Sequence, residues 1–233
     1  MRRLLALICL LVWTTGVQAA CRQALVLALD VSSSVDEAEY ILQMQGLAGA
    51  LRDPDVQAYL LSQPQAPVSI AVFEWGGHFD QTLIIPWRSI TAAADLDAIA
   101  ASLAARIRSG PIQPTSIGGA LAYAGRLLEK GPSCWQQTID VSGDGKNNDG
   151  IRPRRAKQAA IFQGITVNGL VIGEDTPDAE TEIGELVAYY QAEVIHGPTA
   201  FTETALGFAD YGRAMKRKLM RELSLAVAAR QRP

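Results

Sequence analysis

The chain has 233 residues, 48% of them hydrophobic and 19% charged, with a net charge of −3. That balance is an ordinary globular one with material for a sizeable core, enough for one large α/β domain or two small ones. It offers no basic face of the kind nucleic acid requires, and its scarce aromatics and abundant alanine and leucine suit helices packed on a sheet.

The first residues read as an export signal. Arg2 and Arg3 precede an apolar run from Leu4 to Trp13, and Val17-Gln18-Ala19 supplies the small residues of a cleavage site. The pattern is a secretory signal peptide over residues 1–19, too short and wrongly flanked for a membrane span. Cleavage is expected after Ala19, with Ala20 as the alternative. Its removal takes two arginines and no acid, so the net charge moves from −3 to −5. No later stretch approaches 18 apolar residues, so a soluble mature protein is expected. A bacterial periplasm is the expected location, with secretion beyond it left open.

Of three cysteines, Cys9 leaves with the signal peptide. Cys21 and Cys134 remain, and an even pair in an oxidising compartment reads as a disulfide. Acylation of Cys21 is the alternative, although Gln18 stands where a lipoprotein signal needs an apolar residue.

Downstream, strand and helix patterns alternate. Ala24 to Leu29 is an apolar strand, and Glu37 to Leu51 places Tyr40, Ile41, Met44, Leu47, Ala48 and Leu51 at helical spacing. A strand from Pro67 to Trp75 ends at Gly76-Gly77, and Thr82 to Trp87 follows as its hairpin partner. Leu96 to Ile107 is helical, as is Ile117 to Leu128, opened by the capping residues Thr115 and Ser116. Gln137 to Val141 is a strand running into a Gly/Asn-rich loop from Gly143 to Gly150. Then come a helix from Arg154 to Phe162, a strand from Ile165 to Ile172, a helix from Thr181 to Tyr190 and a brief strand at Val194-Ile195. A long amphipathic helix over about 204–229 closes the chain. Its basic run of Arg213, Lys216, Arg217, Lys218 and Arg221 reads as a solvated face. The alternation predicts a mostly parallel sheet covered on both sides, in a single domain over residues 20–233.

Ligands of such sheets bind at the carboxyl ends of the strands. Three loops of that kind carry oxygen donors: Asp30-Val31-Ser32-Ser33-Ser34, Pro114-Thr115-Ser116-Ile117-Gly118-Gly119, and Asp144-Gly145. Two carboxylates with several hydroxyls, and neither cysteine nor histidine, form a hard site that favours Mg²⁺, Mn²⁺ or Ca²⁺ over zinc or copper. Asp36, Glu37 and Glu39 have another role, as first-turn acids of the following helix. Asp140, Ser142, Asp144 and Gly145 imitate a calcium loop. However, Ile151 stands where the bidentate glutamate belongs and no helix precedes them, which rules out an EF-hand. His78 and His196 lack a catalytic context, and no nucleophile elbow, Walker loop or zincin motif is present.

The order Asp-x-Ser-x-Ser, a lone threonine before a glycine-containing helix, and Asp-Gly after a strand resembles the von Willebrand factor A domain with its metal-ion-dependent adhesion site. The phrases "DVSGDGKNNDG", "GITVNGLVI" and "FADYGRAMKRKL" further resemble its exported bacterial DUF1194-type branch. The resemblance implies a Rossmann-like three-layer sandwich with sheet order 3-2-1-4-5-6 and strand 3 antiparallel. It also implies metal ligation by Asp30, Ser32, Ser34, Thr115 and Asp144, with a vacant position for an acidic group from a protein partner. Many relatives carry a hydrophobic-Thr-Asp-Gly run where Ser142-Gly143 precede Asp144 here, so a freer backbone at Gly143 is expected to shift that ligand. In the implied order strands 1 and 4 are neighbours. Cys21, nine residues before Asp30, and Cys134, ten before Asp144, then fall together at the amino ends of those strands. The function expected is a metal-dependent binding module and not an enzyme; the alternatives are a metal-dependent hydrolase and a structural envelope component.

Overall fold

The structure, a computed structural model, describes residues 21–110, 113–173 and 179–229; the expected signal peptide lies outside them. Six strands form one sheet in the order β3-β2-β1-β4-β5-β6. They are β1 (Cys21–Asp30), β2 (Val68–Trp75), β3 (Gln81–Ile90), β4 (Cys134–Gly143), β5 (Ile165–Ile172) and β6 (Thr202–Ala205). β3 runs antiparallel to β2 and every other pairing is parallel. The helices are α1 (Glu37–Arg52), α2 (Pro54–Leu61), α3 (Ala93–Ala104), α4 (Ile117–Glu129), α5 (Pro153–Ala156), α6 (Ala179–Tyr189) and α7 (Tyr211–Ala229). Among the described residues no helix is long and apolar enough to cross a membrane.

The central strands are buried on both faces, which is why β1 and β2 read as unbroken apolar runs. Leu25, Leu27 and Leu29 of β1 meet Tyr40, Met44 and Leu47 of α1 and Tyr211, Met215 and Leu219 of α7. The alternate residues Ala24, Val26 and Ala28 pack with Leu121 and Ala124 of α4 and with Tyr190. The chain leaves β1 toward β2 on one side and later returns to β4 on the other. The strand order therefore reverses at β1/β4, where a crevice opens at the carboxyl ends. Asp36 starts α1 there as half of a capping box: its side chain accepts from the Glu39 amide, and the Glu39 carboxylate accepts from the Asp36 amide. Such a cap contributes about 0.5–2 kcal/mol.

At the opposite end Cys21 and Cys134 are register partners, joined by a disulfide across a Cα–Cα distance of 4.5 Å. A bridged Cys21 has no thiol left to acylate.

Three expectations about elements change. The last strand is Thr202–Ala205, which pairs in parallel with Gly169–Ile172. Val194 instead ends a π-helical turn (Tyr190–Val194), whose Tyr190 and Val194 are both buried, while His196 makes an isolated bridge to Val167. The terminal helix begins at Tyr211 and not near 204, because β6, Gly207 at φ 78° and a 3-10 turn (Phe208–Asp210) occupy that stretch. The helix expected over Arg154–Phe162 stops at Ala156 and resumes as a 3-10 turn at Ala160–Phe162.

The basic run is not a uniformly solvated face. Lys218 is fully buried, with Nζ 2.6 Å from Asp140 Oδ2 on β4 and 2.7 Å from Glu222 Oε1 one turn later. Lys216 reaches Asp53 and Asp55, Arg217 reaches Glu203, and Arg221 lies 3.9 Å over the Phe201 ring.

Candidate metal centre

The five oxygen-bearing residues meet at the β1/β4 crevice. Asp30 ends β1, and its Oδ1 accepts from the Ser32 amide at 2.8 Å, which folds the serine loop back over the strand end. Ser32 Oγ lies 3.2 Å from Ser34 Oγ, and Ser34 Oγ donates to Asp144 Oδ1 at 2.7 Å. From the α4 side Thr115 Oγ1 donates to Ser32 Oγ at 3.2 Å. Three chain segments far apart in sequence thus bring three hydroxyls and two carboxylates into one chain of contacts.

The loops are fixed by groups outside this set. Arg108, in the segment after α3, donates to the carbonyls of Val31, Ser32 and Val35. Gln43 on α1 donates to the Asp30 carbonyl at 2.9 Å, and the Ser33 amide donates to the Gln113 carbonyl at 2.7 Å. Asn148 Oδ1 accepts from the Thr115 amide, and Asn147 Oδ1 accepts from the Gly118 amide in the first turn of α4. The Gly/Asn-rich loop is therefore a brace for Thr115. Thr115 itself is only 4% exposed, so it belongs to the packed floor of the site. Of these supporting residues Gln43 carried a sequence signal, a polar side chain within the buried stripe of α1; Arg108 carried none.

Asp144 follows Gly143, the last residue of β4, which pairs regularly with Val171. Gly143 does not carry Asp144 away from the serine loop: Asp144 Oδ1 still accepts from Ser34 Oγ.

The electrostatics suit a cation. Asp30 is wholly buried, and burial, reinforced by the Asp144 charge, pushes its carboxyl up to about 8. Its Oδ2 has no hydrogen-bonding partner among the described residues. A buried carboxylate oxygen left this way is costly unless a positive group or donor meets it. Among the described residues no three His, Cys, Asp or Glu side chains cluster as a metal centre. The donor set here is instead hydroxyl-rich and hard, so Asp30, Ser32, Ser34, Thr115 and Asp144 fit a small divalent ion that keeps some water.

Sheet order, the antiparallel β3 and the placement of these loops define a von Willebrand factor A-like fold. The chain belongs to the family described as "Protein of unknown function (DUF1194)", whose model matches residues 20–227. Among curated proteins no sequence matches significantly. A solved structure of proximal thread matrix protein 1 from the mussel byssus, with a zinc-occupied MIDAS motif, is similar at TM-score 0.58 and 17% identity, covering 89% of this chain and 47% of that one. The von Willebrand factor type A structure from Catenulispora acidiphila is similar at TM-score 0.56 and 20% identity, covering 86% and 43%. BatB from Bacteroides thetaiotaomicron gives TM-score 0.51 and 17% identity, covering 88% and 98%. The chain spans about half the length of the byssal protein, and at these identities the likeness is one of fold.

Proposed function

We propose that the protein is an exported binding module that holds Mg²⁺, or Mn²⁺ or Ca²⁺, at Asp30, Ser32, Ser34, Thr115 and Asp144, and uses it to grip a carboxylate on a partner protein. The convergence of these five side chains, two carboxylates and three hydroxyls from three separate segments at one crevice, carries the reading. The zinc-occupied MIDAS of the byssal neighbour supports it by analogy of fold. The ion supplies a concentrated positive charge at the crevice mouth. Two carboxylates and neutral hydroxyls leave that charge incompletely balanced, which favours an anionic group from outside. Both carboxylates at the crevice belong to the donor set, and burial pushes the phenol of nearby Tyr190 well above its ordinary range. Neither is placed to act as a general base, so the chemistry suits capture more than turnover.

Calorimetry on the mature protein should show Mg²⁺ or Mn²⁺ binding that Asp30→Asn removes while circular dichroism stays native. Equal binding by the variant would mean the site is misplaced. A partner should be retained from envelope extract in Mg²⁺ and released by EDTA; turnover of an ester or phosphoester would favour the hydrolase. Thr115→Ala should lose capture at least tenfold and Thr115→Ser should restore it, since the hydroxyl and not the methyl touches Ser32. If Thr115→Ala captures normally, Thr115 serves packing alone. Export predicts a mature protein beginning at Ala20 by N-terminal sequencing of the periplasmic fraction.

A further inference from the structure

Two glycines stand in neighbouring strands on the α4/α6 face of the sheet: Gly143 at the end of β4 and Gly169 in β5, where Val141 pairs with Gly169 and Gly143 with Val171. A strand glycine usually marks a close approach, and here both approaches are made by one side chain. A Cβ on Gly169 would lie 2.7 Å from Tyr190 Cδ1, and a Cβ on Gly143 would lie 2.6 Å from Tyr190 Oη. The ring of Tyr190 therefore runs across both strands with its hydroxyl at the foot of the metal centre. That same Gly143 position lies 2.8 Å from Asp30 Oδ2 and 3.4 Å from the Trp75 ring. Neither Gly143 nor Gly169 has a positive φ. What they provide is space.

Tyr190 is fully buried, and its Oη has no hydrogen-bonding partner among the described residues; the same holds for Asp30 Oδ2. A phenol is a donor, and a carboxylate oxygen accepts at two lone pairs. The two oxygens flank one niche, at 2.6 and 2.8 Å from the same point, so a small shift of the phenol or a single water would join them. Satisfying each other removes two buried orphan groups at once.

We propose that Tyr190 is a positioning residue for the metal centre, donating its hydroxyl through the Gly143 niche to Asp30 Oδ2. This rests on the metal-binding reading above. Asp30 Oδ1 is already held by the Ser32 amide, so a second donor on Oδ2 fixes the plane of the carboxylate while leaving lone pairs for an ion. Outer-shell donors of this kind orient ligands and are commonly worth ten- to hundredfold in metal affinity. Gly143 acquires a role the backbone alone does not explain: a side chain there would occupy the niche and press on Asp30. Tyr190 also opens the π-helical turn after α6, so the end of that helix is mechanically tied to the ligand set. Such turns recur at functional sites.

The test uses the full mature chain with Mn²⁺ and Mg²⁺ as probes, in parent, Tyr190→Phe, Gly143→Ala and the double variant. Tyr190→Phe should weaken binding about tenfold, at the low end of the outer-shell range, while thermal unfolding of the metal-free form stays near that of the parent. Gly143→Ala should weaken it at least as much. The double variant should lose less than the product of the two, because both act through one niche. Metal addition to the parent should perturb the near-ultraviolet tyrosine absorption, and Tyr190→Phe should remove that signal. A parent that binds and a Tyr190→Phe that binds equally well would overturn this assignment alone. A parent that binds neither of these ions nor Ca²⁺ would overturn the metal reading and this assignment together.

Discussion

Replacing both bridging cysteines, as Cys21→Ser with Cys134→Ser, is expected to lower the unfolding free energy by about 4–5 kcal/mol, the figure that chain entropy gives for closing a loop of this size. The bridge spans 113 residues, so the unfolded chain gains nearly half its length in freedom when it is cut. The native state should change little. Cys21 and Cys134 are register partners on adjacent parallel strands, and the neighbouring register pairs Gln23/Gln136 and Leu25/Thr138 continue that ladder. Because the bridge closes the amino ends of β1 and β4 while Asp30 and Asp144 stand at the carboxyl ends, metal affinity should not move. Urea unfolding of the oxidised parent and the double serine variant reads the first quantity, and calorimetry reads the second. Thiol titration of unreduced, denatured mature protein should find no free thiol, and two after reduction. A stability loss below 1 kcal/mol, or two free thiols at the outset, would show that the bridge does not constrain the unfolded chain.

What could be read in advance divides along physical lines. β1, β2, β5 and α1 were legible because each is long and strongly patterned, and the three donor loops were legible because they follow or precede such elements. Short elements were not. The four residues of β6 carry no period, and Thr202–Ala205 pairs only because β5 presents an edge, whereas Val194-Ile195 looked more strand-like and is placed by Tyr190. The helix Pro54–Leu61 is too short to show an apolar period, with only Val56 and Leu60 buried, although Asp53-Pro54-Asp55 is a sound start signal and Asp53 accepts from the Asp55 amide. At the site, the convergence of the five oxygen-bearing side chains is legible in the sequence and its support is not. Arg108 acts through backbone carbonyls, which leave no trace in side-chain spacing. Gly143 reads in the sequence as loose backbone, whereas a Cβ there would meet Tyr190 Oη at 2.6 Å.

Lys218 is the most instructive misreading, and its removal should be comparably costly. It sits among surface arginines and lysines, yet Tyr211, Ala214, Met215, Leu219 and Leu223 define a buried stripe on α7 that also contains Lys218 and Glu222. Asp140, an acid inside a strand buried on both faces, is the second half of the signal. Burial works against the Lys218 charge, but the facing carboxylates of Asp140 and Glu222 more than offset it and raise its proton affinity. Asn168 Nδ2 adds a donor to Glu222 Oε1 at 2.7 Å. A buried group of this kind is weak evidence for stability as a whole, since an apolar replacement of all its members can be neutral or better. Breaking it is another matter. Lys218→Met leaves two acids facing each other with no cation and should cost ~3–5 kcal/mol at pH 7.

The pH dependence gives the sign. Burial already pushes Asp140 up to about 7, against the opposing pull of Lys218; without that ammonium its folded-state proton affinity rises further. The folded variant then binds more protons than the unfolded chain, whose carboxyls titrate near ~4, so its stability falls as pH rises above that value, by about 1.4 kcal/mol per unit for each proton involved. The parent shares this slope up to about pH 7, where its own Asp140 ionises, so the deficit of Lys218→Met relative to it should stay smallest below that value and widen above it. Thermal unfolding of both proteins from pH 4 to 8 measures it. A deficit that is constant across that range would mean the loss is one of packing, and a deficit below 1 kcal/mol at pH 7 would mean that Asp140 and Glu222 find another partner when the lysine is gone. Adding Asp140→Asn and Glu222→Gln to Lys218→Met should recover most of the loss and flatten the profile, because the charges that made the broken triad expensive are then absent.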